Sequence, residues 1–565
     1  MDSLKMSSLA DLSDQLPILW ASSKVRLEDV FNAQTLATIV LGFFAVRIGI
    51  ILYRLYFHPL SHFPGPKLAA ATTLYRAYYQ MIRDGDHVAQ WTRLHEKYGS
   101  RNPSTFSHSQ ANDVKALLSE SPRTLYCPDK FQSTLPNNHA DCLSQLHFRN
   151  PKAFDDIFKF NGKFTKAADF YDHLGQSDAL FGLVDEAEHK ERFKPAADLF
   201  SRKKAMEFES LIVGNAQRMG ELLLQKCVHN QNPINIAWAF RAVALDVIQD
   251  FVFDHVPAHL RGLKDDTFDT LFVRTTWDVM DWTAWCFRNF PLALSFSNCL
   301  PHWLRRIMFP GEGANIESFE TISKLVEDNL AVGPNWHRDS LLSRMAGKVT
   351  LTQLTAECMG TMFGGVINIA NMLPYGAFCA SQDPALQEEL YRELVAVWPD
   401  VNGPMPGYDQ LSQLPVLNGV VKESLRLMHG IIVGPPRLTP STGAQIDGYQ
   451  VPPGVIVTTS SLYCHTNPAV FPDPEKFDPY RWVHSTPEMD KWLVPFSKGK
   501  RSCPGKQISI MELFIVQALT FRKFKIEPVN TTIEDFNWKV YVSLHFTGRF
   551  FHANLTPRPG VALTA

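Results

Sequence analysis

Along most of the chain the apolar positions return every three to four residues. Between about Ala69 and Trp482 this period recurs, as in LTQLTAECMGTMFGGVINIANML (351–373) and PALQEELYRELVAVW (384–398). It predicts helices with one face, or all faces, in a core. Thr350 and Gln353 have capping-box spacing at the start of the first, and Pro374 is expected to kink it. Alternation at period two is confined to short stretches. IDGYQVPPGVIVTTSS (446–461) reads as a turn and strand pair around Pro453-Gly454, and WKVYVSLHFTGRFFHANL (538–555) as a late hairpin. The expected fold is mainly α with small β-sheets, not an alternating β/α repeat.

Two stretches depart from that rhythm. TLATIVLGFFAVRIGIILY (Thr35–Tyr53) is apolar except for Arg47. As a helix it would reach ~28 Å, about one hydrocarbon core. We expect residues 35–57 to form a transmembrane anchor. Residues 1–34 then form a luminal leader, because Arg54 and Lys67 follow the span while Asp2, Asp11, Asp14, Glu28 and Asp29 precede it. The bulk of the chain, 69–565, would face the cytosol. Between them HPLSHFPGPK, with Pro59, Pro64 and Pro66, reads as a stiff hinge over 58–68. The second stretch, about 101–145, has no sustained period and is rich in Ser, Asn and Pro. It is too long for an ordinary connection and reads as an insert or retained intron sequence without a strand.

Composition narrows the function. Lys and Arg number 55 against 57 Asp and Glu, a net charge of −2, so no nucleic-acid partner is expected. The nine cysteines are spread singly without a Cys-x-x-Cys, which argues against a disulfide framework or zinc ribbon and suits a reducing compartment. One of them, Cys503 in PFSKGKRSCPGKQ (495–507), has unusual surroundings. GKQISIMELFIVQALTF (505–521) reads as a helix, so Cys503 stands at its N-terminus, among Lys498, Lys500, Arg501 and Lys506 and between Gly499 and Gly505. Such a place favours a thiolate. Local physics leaves three readings open: a nucleophile, a metal ligand, or a buried cysteine in a basic loop.

The wider pattern is specific. Phe496, Gly499, Arg501, Cys503 and Gly505 are similar to the haem-binding loop of the cytochrome P-450 family. KESLRL (422–427), with Glu423 and Arg426, resembles that family's Glu-x-x-Arg helix. Arg481 in FDPYRW and Arg437 in GPPRL match the third member of its charge network and a haem-propionate ligand. The resemblance runs from about His58 to Arg558, and the hinge and anchor look like those of fungal microsomal members. It implies haem iron ligated by Cys503, with thiolate donation favouring O–O cleavage. Phe496 would pack beneath the porphyrin. Arg501, Arg437, His189 and Arg192 would meet the propionates, and Glu423, Arg426 and Arg481 would lock the core behind the haem. The lysines around Cys503 would dock an acidic NADPH-dependent reductase.

One motif departs from the family. Where its distal helix carries an acid and an alcohol, this chain has GGVINI: Gly364, Gly365, Val366, Ile367, Asn368, Ile369. The glycines would open the helix over the iron. Ile367 relays no proton, and Asn368 holds water but has none to give near neutral pH. The expected activity is monooxygenation of an apolar small molecule with O2, such as a terpenoid or polyketide-derived secondary metabolite, with Asn368 and Gly365 as catalytic candidates. The alternatives are a redox-neutral isomerase or cyclase and an inactive remnant. Aromatic-rich stretches at 276–297 and 540–551 are candidate pocket walls.

Overall fold

The structure is a computed structural model. It describes residues 33–562 except 62, 99–123, 128–144, 173–176, 230, 280–281, 334–335 and 549. Most of the retained-intron expectation for 101–145 therefore lies outside the described residues, as does the leader up to residue 32. The chain divides into two units, Met1–His62 and Phe63–Ala565.

The first unit contains one long helix, α1 (Ala33–Tyr56). Over Gln34–Tyr56 its mean hydropathy is 2.2, and its 24 residues reach ~36 Å, which exceeds a bilayer core and is compatible with a span.

The second unit is mainly helical. Its helices include α2 (His87–Tyr98), α3 (Pro151–Phe158), α4 (Glu186–Phe193), α5 (Glu209–Val228), α6 (Ile236–Val252), α7 (Thr283–Asn289), α8 (Pro310–Ala331), α9 (Leu351–Gln382), α10 (Pro384–Val397), α11 (Pro415–Leu427) and α12 (Lys506–Lys523). The expected helix over 351–373 starts at its Thr350–Gln353 capping box. It then runs through Pro374 for 32 residues as one continuous element, and beside the proline Gln517 Nε2 on α12 donates to the Leu373 carbonyl at 2.9 Å. Helices α6, α9, α11 and α12 are buried on nearly every face, as interior helices must be.

The strands are short: β1 (Thr124–Cys127), β2 (Gln145–Phe148), β3 (Thr165–Lys166), β4 (Ile234–Asn235), β5 (Arg437–Leu438), β6 (Ala444–Ile446), β7 (Tyr449–Val451), β8 (Ile456–Thr459), β9 (Phe524–Pro528), β10 (Trp538–Tyr541), β11 (Ser543–Phe546) and β12 (His552–Pro557). The largest sheet has the order β1-β2-β8-β5-β3. Its edge strand β1 comes from inside the 101–145 stretch and pairs antiparallel with β2, Leu125 facing His147. The described part of that stretch thus supplies a strand where none was expected. The strand pair expected over 446–461 divides: β7 pairs with β6, while β8 joins the large sheet. The late hairpin forms as β10–β11, but β12 leaves it to pair with β9 and β4. Local alternation is legible in sequence; the choice of partner depends on which edges the helices leave open.

Candidate active site

The loop before α12 is built by backbone constraints. Gly499 has φ +79°, and a Cβ there would overlap the Phe158 carbonyl oxygen at the end of α3, so glycine is required twice over. Cys503 N–H donates to the Phe496 carbonyl at 2.9 Å, and Ser502 N–H to that of Gly499 at 3.2 Å. The turn sets Cys503 just ahead of Gly505, the N-cap of α12.

Cys503 is an exposed residue, yet protein surrounds its thiol closely enough for burial to push the pKa up, with the Gly505 N–H pulling it down. Both facts hold if the sulfur faces an internal space. The expected cationic help is weaker than the sequence suggested. Lys498 is engaged by Asp155 at 2.7 Å and Arg501 by Glu186 at 3.0 Å, so burial outweighs the helix terminus until a cation at the sulfur holds the thiolate. Phe496 is half-buried beside the loop.

The middle of α9 borders internal space as well. Thr361, Gly364, Gly365 and Asn368 are accessible positions on a helix whose other central residues are mostly buried, and their spacing puts them on one face. A Cβ at Gly364 would meet nothing within 4 Å, whereas one at Gly365 would come within 2.5 Å of Ile248 Cγ1. The opening therefore belongs to Gly364. Gly365, the catalytic candidate, instead permits close approach of α6. Asn368 is held from the sheet: Ser543 Oγ, on β11, donates to its Oδ1 at 2.8 Å. Ile367 is buried.

A dense group of cations lies on α4, β3 and β5. Arg437 is buried, and its guanidinium donates to Tyr171 Oη at 3.1 Å. Arg501 donates to the Leu183 carbonyl as well as to Glu186. His189 stacks on Phe193 with centroids 5.9 Å apart; burial, then Arg501, Lys166 and Arg192, push its pKa down to about 4. Arg192 meets Glu188 at 3.6 Å and the Asp178 carbonyl. Nothing in the sequence pattern flags Lys166, which the structure adds. It is buried, donates to the Phe181 carbonyl, lies 4.5 Å from the Tyr171 ring centroid, and is pushed down to about 6 by burial and by Arg501 and Arg437. Glu186 and Glu357 oppose this only in part. Burial first, and then Arg501 and Arg437, favour the neutral amine of Lys166, while Glu186 is shared with Arg501.

Glu423, Arg426 and Arg481 come together elsewhere. Glu423 and Arg426 on α11 are fully buried and form a two-point pair, 2.7 and 2.9 Å, while Arg481 Nε meets Glu423 Oε1 at 2.9 Å. Trp482 Nε1 and Asp478 N–H donate to the same carboxylate at 2.8 and 3.0 Å. Arg426 also bonds the carbonyls of His465 and Lys476. The network ties α11 to the segment that leads to the Cys503 loop, through 465–482.

A mainly helical body, a cysteine just ahead of an internal helix, an opened helix face and a group of cations are what a haem-thiolate protein would need. Comparison with known proteins agrees. The family model described as Cytochrome P450 matches residues 147–546, and the chain belongs to that family. Among its relatives are the cytochrome P450 monooxygenase ppzG of Metarhizium majus, 38% identical over 50% of this chain and 97% of that one, and the cytochrome P450 monooxygenase flvC of Aspergillus flavus, 27% identical over 94% and 98%. The tryptophan 6-hydroxylase fscE of Fusarium equiseti is 28% identical over 87% and 91%. The crystal structure of a cytochrome P450DA heme domain superposes with a TM-score of 0.61 at 15% identity, covering 86% of this chain and 96% of that one. The residues present fit the implied cofactor: a cysteine just ahead of α12 for the iron, and Arg437, Arg501 and Lys166 grouped for two carboxylates.

Proposed function

We propose that the protein is a haem-thiolate monooxygenase that inserts one oxygen atom into a small molecule with a largely apolar body, held to the endoplasmic reticulum membrane by residues 35–57 with the catalytic domain in the cytosol. The observation that carries this reading is Cys503, an exposed residue with an enclosed thiol, at the N-terminus of α12. Bound haem supplies the oxygen-activating redox chemistry. Cys503 would ligate its iron and Phe496 would pack beside the sulfur. Arg437, Arg501 and Lys166 would take the propionates, with His189 and Arg192 at the edge of that group. Gly364 would leave room for the group, and residues 58–68 would be the hinge that follows the anchor.

Asn368 acts differently from an acid–alcohol relay. Its carbonyl oxygen accepts from Ser543, which leaves its N–H2 as the donor for a water or substrate oxygen. It orients; any proton must come from that water or substrate. The lysines near Cys503 support a docking face for a reductase that carries electrons from NADPH. Lys500 and Lys506 are exposed and form no ion pair among the described residues. The Asn368–Ser543 bond also favours a second reading, a redox-neutral isomerase or cyclase that needs no relay. The relatives named above are fungal monooxygenases, which supports a place in secondary metabolism.

The test is the spectrum of the reduced carbon monoxide complex of the full chain beside Cys503→Ala. A red-shifted Soret band lost in the variant is expected. An unshifted band that survives in Cys503→Ala overturns the ligand assignment. Turnover without reductase and NADPH would select the redox-neutral reading.

A further inference from the structure

Two histidines lie in the core beside the chain that leads into the Cys503 loop. His429 follows α11, and His465 ends the short Ser461–His465 helix. Both are buried. Their rings stack with centroids 5.4 Å apart at 20°, and Nδ1 of one meets Nδ1 of the other at 3.1 Å. Imidazoles are costly to bury unless their nitrogens are paired.

Val494 decides where the hydrogens sit. Its backbone N–H donates to His465 Nε2 at 2.9 Å, so that nitrogen carries no hydrogen of its own. A neutral His465 then holds its hydrogen on Nδ1 and donates it to His429 Nδ1, which leaves the His429 hydrogen on Nε2. The bonds point one way, from Val494 through His465 to His429, and each polarises the next. A proton added to either ring would break one of them. Burial first, and then His429 and Arg426, keep His465 well below the ordinary imidazole value. Burial and then Arg426 hold His429 at about 3. Both rings stay neutral at physiological pH.

The pair is tied on both sides. Arg426 donates to the His465 carbonyl at 2.9 Å, and Ser461 Oγ to the His429 carbonyl at 2.9 Å. His429 and Gly430 adopt φ of 52° and 68°. A Cβ on Gly430 would stand 2.6 Å from the Pro495 carbonyl oxygen, so the turn after α11 folds directly against Val494 and Pro495. From there the main chain runs into the Cys503 loop. Ser497 N–H donates to the Val494 carbonyl at 3.0 Å, and the Phe496 carbonyl accepts from Cys503 N–H at 2.9 Å. Val494 is where the core grips the arm that places the cysteine.

We propose that His465 is a positioning residue for the Cys503 thiolate: it accepts the Val494 N–H, with its own hydrogen committed to His429, and so fixes the 494–497 arm on which the Cys503 turn hangs. This rests on the haem-thiolate reading above and goes beyond it, because His465 acts through Val494 and Phe496 rather than at the sulfur.

Three variants of the full chain separate positioning from packing. In His465→Gln the amide oxygen reaches the place of Nε2 and keeps the Val494 bond. In His465→Asn the shorter amide reaches only the place of Nδ1, keeps a bond to His429 and loses Val494. His465→Leu loses both. Two readouts are taken: hydrogen–deuterium exchange of the 492–499 peptide, and the share of the reduced carbon monoxide complex that shows the red-shifted Soret band. Exchange should rise about tenfold in His465→Asn and His465→Leu and stay near wild type in His465→Gln. The red-shifted share should fall by about twofold or more in the first two and be kept in the third. A residue that only fills the core would lower Tm in the variants without ordering them Gln above Asn. The proposal falls if His465→Asn exchanges and absorbs like His465→Gln, a comparison that holds even where His465→Leu does not fold. It also falls if the red-shifted share is unchanged in His465→Asn. If the wild type lacks a red-shifted band but exchange still separates Gln from Asn, the haem-thiolate reading fails and the grip of His465 on the loop stands.

Discussion

Glu423 offers the sharpest test of how this fold is held together. Its carboxylate is fully buried and accepts five hydrogen bonds, two from Arg426 and one each from Arg481, Trp482 and Asp478 N–H. Glu423→Gln keeps the shape but removes the charge, and it turns one acceptor oxygen into an NH2 group facing donors. Arg426, with no exposed surface, is then left as an uncompensated buried cation. Removing one partner of such a pair costs about 3–5 kcal/mol. Over Phe63–Ala565 an unfolding entropy of about 2.1 cal/mol/K per residue amounts to roughly 1 kcal/mol/K, so Tm should fall by about 3–5 °C. Melts of Glu423→Gln, Arg426→Met and the double variant at one scan rate form a double-mutant cycle. The double variant should lose less than the sum of the singles, by about 2 kcal/mol. Simple additivity, or a shift below about 1 °C for Glu423→Gln, would refute the argument that charge compensation holds α11 to the 465–482 segment.

Further outcomes follow from other sites. Gly499→Ala places a side chain against the Phe158 carbonyl at positive φ, at about 1–3 kcal/mol of strain; the haem content of the purified variant should drop while its helicity stays. Lys166→Met removes a buried donor from the cation group, a neutral-amine hydrogen bond of about 0.5–1.5 kcal/mol, so haem should transfer to apomyoglobin about two- to tenfold faster. His87, His147 and His429 are each held at about 3 by burial first, below their usual 6.5. The unfolded chain therefore binds more protons between those values, and stability is full above about pH 6.5 and is lost as pH falls toward 3, by about 1.4 kcal/mol per unit per group. His429→Asn, which tolerates the positive φ of 52° there, should reduce that slope by one group's worth in urea titrations between pH 7 and 5.

Much of the chemistry was legible in the residues. The Cys503 loop is contiguous, so its glycines, its thiol and the helix after it are set by neighbours within a few positions. The Glu423–Arg426 pair, one helical turn apart, is local for the same reason, and the helical period of 351–373 and 384–398 follows from which face each helix buries. The apolar stretch ahead of Arg54 likewise declares a helix long enough to span a bilayer. What the sequence could not specify is which distant surfaces meet. Gly364 and Gly365 are adjacent and identical in type; only the position of Ile248 on α6 makes one an opening and the other a helix crossing. Asn368 read as a water holder until β11 brought Ser543 to its carbonyl oxygen. Lys166 carries no motif, and its lowered pKa exists because folding buries it and then sets Arg501 and Arg437, hundreds of residues away, beside it. Burial and electrostatic coupling are properties of proximity in space, so the tertiary structure alone decided them.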